Sequence, residues 1–194
     1  PGSPAMRAYA AKQKERLAYE KTLKKIRFQH FRATNKTELR QEGMVKLHDF
    51  ADPKYFQSLM EIFGDEAADV NGCMLDMFRE SRCHEGDTCI SWVAVYAKEA
   101  QVREMARGRL EQRRKELGEL PAATGMVVYS GLRSNKSESM AAAADLADQF
   151  DMINAIPWMI ASQLGGGAQF GGSGDRGESG DLAWIAVGTQ QAFV

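Results

Sequence analysis

"ADPKYFQSLMEIFGD", residues 51–65, has the marks of a helix at both ends and along its length. Asp52 is a natural N-cap, Pro53 suits the first helical position, and Gly64 suits the C-terminal cap. Between them Phe56, Leu59, Met60 and Phe63 recur at helical spacing and form one apolar face. Asp65 then stands where a second helix can be capped. Val70, Cys73, Met74, Met77 and Phe78 repeat the same period, with Gly72 inside costing about 1 kcal/mol relative to alanine. Two such helices joined by so short a link predict an αα-hairpin, and the hairpin sets the fold class as mainly α.

Working outward, "CISWVAVYA" from Thr88 onward is apolar nearly all round, and "REMARGRLEQRRKE" alternates in sign. Together they predict one long central helix from about Thr88 to Gly118, with Glu99–Arg103 and Glu111–Lys115 paired at i, i+4. "GMVVYSG", residues 125–131, has the β-branched and aromatic content of a short strand. Residues 126–129 are expected to pair with 183–193 in a small two-stranded β element. A helix over 139–156 should end at Pro157. Residues 165–181 hold eight glycines and are expected to form a glycine-rich loop. No apolar run approaches the length of a transmembrane segment.

Charge divides the chain more sharply than hydropathy does. The net charge of the 194 residues is −1, yet residues 1–40 hold 11 Lys and Arg against three Asp and Glu, and the remainder 14 against 23. This predicts a basic N-terminal helical arm, residues 1–40, on an acidic, mostly helical globular domain, residues 41–194. The helix should run from about Ala5 to Ala33, with a turn at "ATNKT". Tyr19, Leu23, Ile26 and His30 form a narrow apolar stripe on it, while Met6, Ala10 and Leu17 lie on a second stripe out of line with the first.

Within residues 15–32 six cations face only two glutamates, so the helix repels itself unless something neutralises it. Tyr19, Lys21, Leu23, Lys24, Lys25, Ile26, Arg27, Phe28, Phe31 and Arg32 are therefore expected to bind a partner. The leading expectation is an accessory or structural subunit whose arm docks on a larger protein assembly. The alternative is RNA or single-stranded DNA, with cations on phosphates and Phe28 or Phe31 stacked on bases. An anionic membrane surface ranks third, because the stripe is narrow.

No catalytic, cofactor or metal site is expected. Cys73, Cys83, His84 and Cys89 offer zinc-type ligands at the wrong spacing. The low, odd cysteine count fits ordinary thiols, with a Cys83–Cys89 disulfide closing "CHEGDTC" as the alternative. Asp69, Asn71 and Gly72 match three positions of a calcium loop, but Ala67 and Phe78 replace its anionic ends. "GLRSNKS" lacks the second glycine of a phosphate-binding loop; Arg133 and Lys136 at most touch an anion. His30, His48 (beside Asp49) and His84 sit in no nucleophile motif. The first five residues, "PGSPA", are either appended ahead of Met6 or left by removal of a targeting peptide. The compartment follows from neither, and a soluble intracellular or organellar interior is the expectation.

Overall fold

Ser3 caps the first helix by accepting a hydrogen bond from the Met6 amide at 3.3 Å, and Pro4 occupies its first position. In this computed structural model, which describes residues 3–32 and 36–152, that helix, α1, spans Pro4–Arg27. Lys24, Lys25 and Arg27 fill its last turn, where cations suit the helix dipole. It then widens into a π turn, Phe28–Arg32. A π turn fits an extra residue into each revolution, which delays the residues that follow around the axis. Unbroken α-geometry would place Phe31 near the side of Met6 and Leu17. The wide turn carries it to the side of Leu23 and Ile26, and both His30 and Phe31 are buried there.

α2, Thr37–Phe50, was not foreseen, and its sequence explains why. Only Gly43 and Leu47 turn inward, while Val45 is 61% exposed and no apolar face announces itself. Gly43 lets α2 lie against the π turn: a Cβ there would collide with His30 Cβ and come within 2.8 Å of Phe31 Cζ. His30 Nδ1 donates to the Leu39 carbonyl at 3.0 Å, and its Nε2 accepts from Lys46 at 3.3 Å.

Asp52 caps as expected, accepting from the Lys54 amide at 3.0 Å, but it caps a 3₁₀ turn, Pro53–Tyr55, that leads into α3, Phe56–Phe63. Gly64 closes α3 in ordinary right-handed geometry. α4, Ala68–Glu80, begins after Ala67 without a side-chain cap, so Asp65 does not start it. The two helices pack on one another, with the Phe56 and Phe78 rings 4.8 Å apart.

The expected long central helix is two helices, α5 at His84–Tyr96 and α6 at Ala100–Leu117. Arg103 does not pair with Glu99. Its guanidinium donates to the carbonyls of Ala97 (2.6 Å) and Lys98 (2.9 Å), satisfying the acceptors that the break leaves open. Glu111 and Lys115 do pair, at 3.7 Å, and Gly118 ends α6 at φ 78°.

Residues 126–129 are helical, not a strand: they lie in α7, Ala122–Leu132. Thr124, Val127, Val128 and Gly131 are buried at helical spacing, and Gly131 admits the Val95 and Ala143 side chains close to its backbone. Packing of that face outweighs the β preference of the Val-Val-Tyr run. No strand occurs among the described residues. The intended partner, 183–193, and the glycine-rich segment 165–181 lie outside them. α8 spans Ser137–Gln149.

The chain divides into two compact units, residues 1–89 and 90–194. Leu23, Ile26 and Phe31 of the basic N-terminal segment are buried in the first unit. No described helix is long and apolar enough to cross a membrane.

Candidate partner interface on the first helix

α1 has two apolar faces, and the structure uses one of them. Tyr19 is stacked on Phe50 (4.7 Å) and Tyr55 (4.4 Å), and its hydroxyl donates to the Phe50 carbonyl at 2.8 Å and accepts from the Asp52 amide at 3.2 Å. Burial pushes its phenol above the ordinary value. Leu23 and Ile26 are buried below it, and Phe31 meets Phe63 edge-on at 5.8 Å.

Polar groups along the seam reinforce this docking. Ser58 donates to Glu20 at 2.9 Å, and Lys54 to Glu15 at the same distance. The Lys54 ammonium holds the Glu15 carboxyl below its usual range; in turn the Tyr55 phenol and then Glu15 push Lys54 up to about 12. Glu66, with its side chain only 5% exposed, accepts from Arg27 Nε at 2.6 Å and Arg32 Nε at 2.8 Å. Arg40 grips Asp69 with three hydrogen bonds, of 2.8, 2.9 and 3.3 Å, and lies over the Phe31 ring. Burial opposes ionisation of Asp69, but the hydrogen bonds, led by those from Arg40, keep its carboxyl low.

Six of the ten residues expected to bind a partner are thus engaged within the chain's own first unit. Tyr19, Leu23, Ile26 and Phe31 are packed there, and Arg27 and Arg32 share the single carboxylate of Glu66. Lys24 only approaches Glu20, at 4.0 Å. Lys21, Lys25 and Phe28 (66% exposed) face solvent. Sequence reasoning could not see Glu66, which lies 39 residues from Arg27.

What it set aside is the second face. Met6 and Tyr9 are each 66% exposed, and Leu17 59%. At 100° per residue these side chains lie roughly 120° around α1 from the Tyr19–Leu23–Ile26 face. The out-of-line spacing of Met6, Ala10 and Leu17 was the available signal; Tyr9 carried none. Arg7, Lys14, Lys21 and Lys25 flank this face, exposed and without a carboxylate partner among the described residues.

The remaining sequence candidates are absorbed structurally. Cys73, Cys83 and Cys89 are free thiols, so the Cys83–Cys89 disulfide is not formed. Cys83 opens α5, its carbonyl accepting from the Asp87 amide, and Cys89 lies six residues further along. A helical rise of 1.5 Å per residue holds them roughly 9 Å apart along the axis, beyond the ~7 Å limit for bridging. Burial pushes the Cys73 thiol up, and that of Cys89 far up. No cluster of three or more metal-ligating side chains occurs among the described residues. Of the calcium-loop residues, Asp69 holds Arg40, and Asn71 is buried with its amide on the Glu66 and Ala67 carbonyls. Lys136 stands at the cap of α8 with its amide on Ser134 Oγ. His48 is exposed beside Glu80, at 3.5 Å.

No protein-family model, no curated protein and no solved structure matches the chain.

Proposed function

We propose that this chain is a non-enzymatic accessory or structural subunit of a larger protein assembly, docking through α1. The observation that carries the reading is the pair of faces on that helix. One is consumed by the chain's own first unit, and the other presents Met6, Tyr9, Leu17 and Phe28 to solvent among cations. Residues 4–14 form about three turns of α1 with almost no tertiary support, so they only propagate from its docked half, and such helix ends open easily. A partner that covered them would add about 1.5–3 kcal/mol for each large apolar side chain removed from solvent.

The test is native co-purification of the full chain and of an M6S/L17S variant. Both substituted side chains are exposed, so the body should stay folded. Loss of a stoichiometric protein partner in the variant supports the reading, whereas a partner set identical to wild type removes it. Phe28, exposed beside Lys21, Lys24 and Lys25, favours a second reading as a single-stranded nucleic-acid contact. That reading requires an affinity falling steeply with salt and weakened by F28A.

A further inference from the structure

The free face of α1 has a regular order. Met6, Ala10, Gln13 and Leu17 succeed one another at intervals of four, three and four residues, the spacing of a coiled-coil seam. Arg7, Lys14 and Lys21 recur every seven residues along one edge of that seam, all exposed, over roughly 21 Å. The other edge differs: Tyr9 is uncharged there, and Arg16 is answered within the helix by Glu20 at 3.4 Å. The seam is thus cationic along one side.

Resting on the docking reading above, we infer that the occupant is an acidic amphipathic helix of another protein, lying along residues 6–21 of α1. Its apolar residues cover Met6, Ala10 and Leu17, and its Asp or Glu residues face Arg7, Lys14 and Lys21. Gln13, the polar member of the seam, sets the register as a lone polar seam residue does.

Charge argues against the competing occupants. In an antiparallel pair of two α1 helices the cationic edges face each other and oppose like charges; in a parallel pair the cationic edge faces Tyr9 and the Glu20-paired Arg16, which offer it no carboxylate. An interfacial helix on an anionic membrane needs a broad, continuous apolar face, and here Ala10 and Gln13 interrupt it. A nucleic-acid strand answers the cations but leaves Met6 and Leu17 uncovered.

The probes are two labelled 24-residue helical peptides with leucine seams, one carrying Glu and the other Lys at the flanking positions. Each is titrated by fluorescence anisotropy against the full chain and against R7E/K14E/K21E, with K14E/K21E as a milder variant should the triple one misfold. Three ion pairs at about 0.5 kcal/mol each amount to about a tenfold preference for the Glu peptide. Reversing the charges should invert that preference, and 0.5 M salt should shrink it. Equal affinity for both peptides, no saturable binding, or tighter binding to single-stranded RNA or phosphatidylserine vesicles than to the Glu peptide would overturn the inference. Should the Glu peptide fail while M6S/L17S still loses its native partner, docking stands and the acidic helix falls. Should M6S/L17S keep its partner, the docking reading itself falls.

Discussion

Two alanine substitutions of the same chemical kind should move stability in opposite directions. Gly43 and Gly108 both lie inside helices, α2 and α6. Replacing glycine by alanine within a helix is worth about 0.5–1 kcal/mol, because the unfolded chain loses freedom and the helix gains propensity. At Gly108 a Cβ meets nothing within 4 Å, so the full gain should appear. At Gly43 the same methyl group collides with His30 Cβ and sits 2.8 Å from Phe31 Cζ. The phenylalanine ring end can swing aside, but His30 Cβ is held next to the π-turn backbone and moves only if that turn moves. Overpacking of this kind costs about 1–3 kcal/mol. G43A should therefore lose about 1–2 kcal/mol net, while G108A gains 0.5–1, in urea unfolding followed by circular dichroism with unchanged slopes. Hydrogen exchange should place the G43A loss in α2 and the π turn. A G43A protein as stable as wild type, or more so, would refute the reasoning that this glycine is there for close approach.

Glu66→Gln should destabilise the first unit by about 2–3 kcal/mol. Nearly all of that comes from Arg27, 26% exposed, and little from Arg32, which is half in water; a urea midpoint indistinguishable from wild type would contradict this. The Glu15–Lys54 contact has a defined pH window. Because the Glu15 carboxyl is depressed in the folded chain, its contribution is present above the usual 4.5 and lost as pH falls through the lowered value. Wild type should lose more stability than E15Q between pH 5 and 3, and parallel pH profiles would exclude the pair. Amides of residues 7–14 should exchange far faster than those of 23–27 in the isolated chain, because only the latter stand over a core; equal protection along α1 would show that something else covers its first half.

Helices with a clear apolar period were legible in the sequence, although the caps read for them were not all used. The residues at 51–80 carried both an apolar period and chemical stop signals, and they form α3 and α4. Where one kind of signal was missing, the reading failed. α2 exposes Val45 and buries a glycine, so no stripe marks it. Residues 126–129 have strand-like side chains on a helix whose burial depends on Val95 and Ala143. The break at residues 97–99 carries no proline or glycine; Arg103 satisfies its carbonyls. On α1 the imbalance of charge was visible, but its partial resolution was not, since Glu66 and Lys54 reach it across long stretches of chain. The π turn hid the rest, because it rotates Phe31 onto a face that a straight helix would deny it.

The central claim is that the outer face of α1 is built for a protein partner while its inner face belongs to the chain itself. It is tested most directly by the mass of the native particle in fresh extract, measured for the full chain and for a chain beginning at Lys14. That truncation spares Glu15, Tyr19 and the residues below them. The account predicts a particle well above the 21.5 kDa of the chain for the first and a folded, unassembled protein for the second; a full-length chain that runs as a lone monomer, or a truncated one that assembles equally well, would contradict it.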